Sequence, residues 1–258
     1  MKKVTVLIIV FLAGSQAAVS QHVDHTDGGN FLKRIEYNIA VPGQTEVDNS
    51  YNLEGKSIYE HIFFGRTNSF VEFVFIDPAV ASAFRVIRNS QNESYRMEVM
   101  QITEIYKQYS RVRDLSAGIS KIAIPQTLQS QIPLDVMALI HRHNKEIGRP
   151  DYADDLLKPY RPESKKQKVS KAFAEKLHGK MALLIDSFKA EGIPPVINDG
   201  HEVTFRCVVG AEVWTLTVHI PQRRALQLMD ICRQIITDGC DKKINERKYI
   251  EMLDEMDL

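Results

Sequence analysis

An α+β fold is predicted for this chain, with a largely antiparallel sheet in the N-terminal half and a helix–β-hairpin–helix–helix C-terminal part. Three observations predict it. Runs rich in Val, Ile, Phe and Tyr are concentrated between residues 31 and 102, several of them alternating in polarity. Two further alternating runs, His201 to Val209 and Glu212 to Ile220, meet at Gly210-Ala211, where glycine suits a tight hairpin turn. Apolar residues at helical spacing flank that hairpin on both sides.

The first twenty residues read as a secretory signal outside the fold. Lys2 and Lys3 precede an apolar run from Val4 to Ala13, and Ala18-Val19-Ser20 offers a small-x-small site, with cleavage after Ser20 and Ala17 or Ala18 as alternatives. The run is about half the ~20 residues that a membrane-spanning helix needs. Leu12-Ala13-Gly14 would suit a lipobox, but Ser15 stands where the acylated Cys is required, so no lipoprotein is expected. The segment holds two Lys and no acid. Its removal would leave 31 basic and 33 acidic side chains on 238 residues, a charge of −2. An exported soluble protein, periplasmic or secreted, is expected, with no stable membrane insertion after cleavage.

Residues 21–148 read as a β-rich region ending in a helix. Gln21 to Asn30 is polar and aperiodic. Phe31 to Ala40 is the first strand, closed by a Val41-Pro42-Gly43-Gln44 turn, and 45–57 reads as loop. Ile58 to Gly65 and Phe70 to Ile76 both read as strands. The second is almost wholly apolar, hence central and covered on both faces, and Asp77-Pro78 stops it. Ala83–Arg88 and Ser94–Ile102 form a hairpin across Asn89 to Glu93. Tyr95, Met97 and Val99 share one face and Arg96 and Glu98 the other, which suggests a sheet with one wet side. Thr103 to Asp114 reads as a short helix or irregular segment. Pro133 to Ile147 reads as a helix with Val136, Met137, Ile140 and Ile147 inward, stopped by Gly148 and Pro150.

Residues 149–168 contain three Pro and the basic run Lys165-Lys166-Gln167-Lys168, and read as a connector. Residues 169–258 then read as α-β-β-α-α. Ser170 caps a helix carrying Phe173, Leu177, Met181, Leu184 and Phe188 at helical spacing, ending near Glu191-Gly192 before Pro194-Pro195. The hairpin follows, then a helix with Ala225, Leu228, Met229, Cys232 and Ile236 on one stripe. A last helix from about Lys243 to Met256 returns Tyr249, Ile250 and Leu253 to the core.

Composition narrows the function classes. With 33 basic and 33 acidic residues the net charge is zero, which argues against nucleic-acid binding and against anionic membrane surfaces. The three cysteines are Cys207, Cys232 and Cys240, an odd number with no CxxC pair. Parity places Cys207 with Val203, Phe205 and Val209, and periodicity places Cys232 on the apolar stripe, so both point inward. Two buried thiols are expected, with a Cys207–Cys232 bond as the alternative.

Candidate chemical groups are few. His141 and His143 are two apart on a helix and point in opposed directions, with Arg142 between them, so they cannot share a metal ion. His22 and His25 with Asp24 and Asp27 lie in the polar N-terminus, and His201 and His219 are expected as surface residues of the late hairpin. Asp154-Asp155 lies in the connector. No GxSxG, HExxH, P-loop or GxGxxG pattern is present, so no catalytic residue, cofactor or metal site is assigned. Two basic clusters remain. Gln222-Arg223-Arg224 opens a helix, where free N–H groups favour an anion. Arg85, Arg88, Tyr95 and Arg96 could line a polar or carbohydrate-binding surface, although pairing of an Arg with Glu98 or Glu93 is the simpler account.

Phe63-Phe64-Gly65, Phe84-Arg85-Val86-Ile87-Arg88 leading to Glu98-Val99, Val203-Thr204-Phe205-Arg206 and Trp214-Thr215-Leu216-Thr217 together resemble exported proteins of Bacteroides-type bacteria, as does Gln21 after the cleavage site. That resemblance implies export and assigns no activity or site residue. The function expected is a non-catalytic binding or cell-envelope interaction protein with a protein or carbohydrate partner. The alternative is a periplasmic or secreted hydrolase whose site is assembled from distant loops.

Overall fold

The structure is a computed structural model. It describes residues 57–65, 67–89, 91–103, 121–149, 152–188 and 200–256, together with the backbone of three short strands between residues 32 and 48. The signal segment, the His22/His25 cluster, the turn at 41–44 and residues 104–114 lie outside the described residues.

The fold is α+β. Strands β1 (Leu32–Tyr37), β5 (Val71–Ile76), β6 (Val80–Asn89), β7 (Ser94–Thr103), β8 (Lys165–Val169), β9 (Glu202–Val209) and β10 (Glu212–His219) form one antiparallel sheet in the order β1-β10-β9-β5-β6-β7-β8. A second, small sheet pairs β2 (Ile39–Ala40), β3 (Val47–Asp48) and β4 (Thr67–Asn68). The helices are α1 (Ile58–Phe64), α2 (Gln126–Gln129), α3 (Leu134–Ile147), α4 (Tyr152–Leu157), α5 (Lys171–Ser187), α6 (Arg223–Cys240) and α7 (Glu246–Asp254).

The apolar run Phe70 to Ile76 becomes β5, which lies fourth of seven in the sheet. Its odd residues Phe73 and Phe75 enter the main core together with Phe84, Met97, Phe205 and Leu216, beneath α5, α6 and α7. Its even residue Val74 enters a second, smaller core on the opposite face, formed with Ile62 and Phe63 of α1, Ala83, Met100 and Leu157 of α4. The one-wet-side expectation for the 83–102 hairpin is therefore corrected. From Glu98 onward the even face of β7 is covered, with Glu98, Met100 and Ile102 all buried.

Residues 58–64 are a helix, not the strand that their Ile, Tyr and Phe content suggested. Ser57 and Glu60 form a capping box: the Ser57 N–H donates to Glu60 Oε2 at 2.7 Å, and the Glu60 N–H donates to Ser57 Oγ at 3.3 Å. The cap and the packing of Ile62, Phe63 and Phe64 on the sheet outweigh a weak β propensity. Gly65 at φ 67° ends the helix in the left-handed region open to glycine.

Residues 149–168 hold α4, a 3₁₀ turn at Lys158–Tyr160 and most of β8. The basic run is thus an edge strand, consistent with charged side chains guarding a sheet edge. Strands from both 21–148 and 169–258 neighbour one another in the single large sheet, because β9 sits beside β5. The C-terminal order α-β-β-α-α holds as α5-β9-β10-α6-α7. Ser170 caps α5 by accepting from the Phe173 N–H at 3.2 Å, and Gly210 turns the hairpin at φ +63°. Cys207 and Cys232 are buried in the main core as free thiols, and Cys240 is half-buried and free.

Candidate functional site

One row of residues crosses the entire large sheet on the face beneath α1. In register, Lys166 of β8 faces Glu98 of β7, Glu98 faces Arg85 of β6, and Arg85 faces Glu72 of β5. Glu72 then faces Arg206 of β9, Arg206 faces Thr215 of β10, and Thr215 faces Arg34 of β1. Charge alternates along the first five positions, so every charged neighbour is an attractive one.

The centre of this row is buried. Glu98 accepts from Arg85 Nε at 2.8 Å, and also meets Arg96 at 3.1 Å and Lys166 at 3.7 Å. Arg206, 2% exposed, donates from Nε to Thr215 Oγ1 at 3.0 Å and from Nη1 to Glu72 Oε2 at 3.2 Å. Its Nη1 also lies 2.5 Å from Glu60 Oε1. Glu60 therefore both caps α1 and ties that helix to the sheet. The second Glu72 oxygen accepts from the Ser69 N–H at 2.7 Å. Two carboxylates and one guanidinium neutralise each other's charge out of water, although Glu60 Oε1 makes no hydrogen bond, so this buried cluster is a structural tie.

The Arg85, Arg88, Tyr95 and Arg96 cluster is divided by the pleat. Arg85 and Arg96 converge on Glu98 beneath α1, whereas Tyr95 is buried on the main-core side and donates from its hydroxyl to Glu175 at 3.2 Å. The simpler expectation of Arg–Glu98 pairing holds, and the four residues form no common surface. Gln222, Arg223 and Arg224 are exposed at the start of α6, where Gln222 makes no side-chain cap. His141 is exposed and His143 half-buried on α3. Asp155 is exposed on α4. Among the described residues no group of three His, Cys, Asp or Glu could hold a metal ion.

A shallow, open depression of about 490 Å³ lies where β5 ends, lined by Phe75, Asp77, Pro78, Ala79, Gly200, His201 and Arg233. Each wall has a local cause. β5 stops at Asp77-Pro78, where the Asp77 carboxylate accepts from the Ala79 and Val80 N–H groups at 2.7 Å each and closes the turn into β6. A Cβ at Gly200 would stand 2.8 Å from Ile220 Cγ1 and 3.0 Å from His219 Nε2, so those two side chains would have to move to admit one. Arg233 projects from the outer side of α6, and its guanidinium carbon lies 4.3 Å from the centre of the Phe75 ring.

His201 also packs beside Phe75, its ring 5.2 Å from that of Phe75 and tilted by 34°. It is half-buried just before β9, more enclosed than the surface position that the sequence suggested. Its Nε2 is shut off from solvent and makes no hydrogen bond. An unpaired buried nitrogen of this kind costs about 1–3 kcal/mol. Burial holds the imidazole below its ordinary pKa, with the positive neighbours Arg233 and His219 adding to that and Asp77 opposing it. At neutral pH it is a neutral ring with one N–H donor and one acceptor. No carboxylate among the described residues pairs with the Arg233 guanidinium.

Sequence reasoning marked Asp77-Pro78 as a strand stop but did not single out Arg233. An outward Arg on an amphipathic helix has no signature that separates it from solvated charge. No family model matches the chain, and no curated protein or solved structure is significantly similar to it, so the site stands on its geometry.

Proposed function

We propose that the chain is an exported, non-catalytic binding protein of the cell envelope, and that its partner is another protein docking on an apolar surface around α2 and α3. The observation that carries this reading is the exposure of Leu134 at 88% and Leu139 at 58% on α3, with Ile122 and Leu128 exposed just before it. Asn144 of α3 holds that preceding segment by accepting from the Ile122 N–H at 2.8 Å and donating to the Ile122 carbonyl at 2.9 Å. Leu134 and Leu139, five residues apart, point about 140° from one another around α3, so the exposed apolar side chains are spread over more than one face of this region. Exposed apolar groups that gather on a surface mark interaction sites more often than isolated ones do.

The inward stripe expected for this helix is only partly used: Ile147 is buried, Met137 and Ile140 are half-buried, and Val136 is exposed. The basic start, short apolar run and small-x-small site support the export part of the reading. The two most deeply buried thiols do not support a hydrolytic nucleophile, since burial pushes Cys207 up to about 12 and Cys232 well above its ordinary value.

The test uses tagged full-length chain, cross-linked in its own cells, with Leu134→Glu/Leu139→Glu as the comparison. A discrete protein should cross-link to the wild type and be lost from the double variant, whose thermal midpoint stays unchanged because both positions are exposed. Recovery of the same protein with both chains would end this reading.

A further inference from the structure

We propose that the outer edge of β8 takes up an extended acidic segment of a partner protein as an eighth strand of the large sheet. β8 ends the strand order and pairs with β7 alone, so among the described residues no strand lies along its other edge. A strand with one neighbour bonds to it through alternate peptide groups and turns the others outward. Such an edge accepts an added strand through main-chain hydrogen bonds, and side-chain matching decides which strand fits.

Charge along this edge selects the acidic partner. From Lys158 to Lys168 the sequence carries five basic residues and one acid, Glu163, in a chain whose total charge is zero. Glu163 pairs with Lys165 at 3.4 Å. On the face that holds Glu98, this one buried carboxylate is shared by Arg85, Arg96 and Lys166. Lys168 stands directly opposite Arg96, a like-charge pair that opposes the sheet. Arg96 turns along its own strand to Glu98, while Lys168 meets no acidic side chain among the described residues. Lys166 and Lys168 are two positions apart and share a face, and both are exposed, as is Arg96. Carboxylates on alternate residues of an added strand would therefore lie across from Lys166 and Lys168 and offset the repulsion. A second copy pairing through β8 would instead set lysine against lysine. The same side chains thus guard the edge against like and neutral strands and admit an acidic one.

This inference is independent of the α3 surface, and Leu134→Glu/Leu139→Glu should leave it intact. The test is fluorescence anisotropy of a labelled peptide of four Glu-Val repeats with the full chain. A Gln-Val peptide and tetragalacturonate, which has the same four carboxylates, are the comparison probes. The Glu-Val peptide should bind saturably, about tenfold or more tighter than either comparison probe, and should slow amide exchange across residues 165–169. Lys168→Glu should weaken it by about tenfold or more. That variant replaces the like-charge pair with an attractive one, so its thermal midpoint should not fall, which separates lost binding from lost fold. N-methylation of alternate peptide residues removes main-chain donors and keeps the charges, and one of the two alternate sets should abolish binding. The proposal is overturned by no saturable binding of the Glu-Val peptide, by equal affinity in Lys168→Glu, or by undiminished binding of both N-methylated peptides. Tighter binding of tetragalacturonate would also overturn it, in favour of an acidic glycan.

Discussion

Glu72 and Arg206 stand directly opposite one another on neighbouring central strands, 134 positions apart in the chain, with Arg206 Nη1 3.2 Å from Glu72 Oε2. Glu60 of α1 closes on the same guanidinium nitrogen from above. Three ionic groups are thereby buried as one unit joining β5, β9 and α1.

Removing the cation should be far worse than removing the whole unit. Arg206→Met leaves Glu60 and Glu72 buried without a counter-charge and is expected to cost about 3–5 kcal/mol. Adding Glu60→Gln and Glu72→Gln should recover a large part of that loss. Urea unfolding midpoints of the single and triple variants measure the difference, and a triple variant no better than Arg206→Met would show that the cost is in packing.

His178 should make the fold acid-sensitive. Its ring stacks on Phe70 at 4.2 Å, and its Nε2 lies 2.8 Å from the Val208 carbonyl oxygen. Burial holds its pKa below the ordinary value, against the raising effects of that hydrogen bond and of Glu175. The unfolded chain takes up this proton near pH ~6.5, before the folded one does. The unfolded state therefore binds more protons as pH falls below that point. Stability is full above it, declines as pH drops, and levels off below the folded pKa. His178→Gln should show a smaller loss of urea midpoint between about pH 7.5 and 5.5 than the wild type. An equal loss in both would assign the sensitivity to other groups.

Thiol reactivity should separate the cysteines. In the native protein near pH ~8 a thiol reagent should modify Cys240 alone, and slowly, since burial and then Asp241 raise its pKa. Cys207 and Cys232 should react only on unfolding. Denatured without reductant, the chain should present three thiols. A count of one would mean that two of the three are joined in a disulfide.

Two helix glycines should respond oppositely to alanine. At Gly239 a new Cβ would lie 2.6 Å from Val99 Cγ2, so α6 or β7 must shift, at about 1–3 kcal/mol. At Gly179 nothing lies within 4 Å, and relief of backbone entropy on α5 should stabilise by about 0.4–1 kcal/mol. Thermal midpoints should move down for Gly239→Ala and up for Gly179→Ala.

Much of the framework was legible because local pattern carried it. The Asn89–Glu93 turn separates the two strands that pair as β6 and β7, and Gly210 joins β9 to β10. Parity and helical period correctly sent Cys207 and Cys232 into one core. Reading failed at Ile58–Phe64, where β-prone residues are held helical by Ser57 and Glu60 and by contacts to distant strands. It failed again at α3, whose apolar positions promised a buried stripe but remain largely outside. Amphipathic spacing states which side chains share a face. It does not state whether anything covers that face.

By itself the amino-acid sequence determined the α+β class, the hairpin partners, the cap at Ser170, and the inward direction of two thiols. Each depends on interactions between residues a few positions apart, or on a period of two or 3.6 residues. Only the tertiary structure decided that β9 lies beside β5. That pairing puts Arg206 between Glu72 and Thr215, and brings His201 next to Phe75. Register between strands so far apart is chosen by the whole core at once, because a slip of one residue would turn every side chain to the other face.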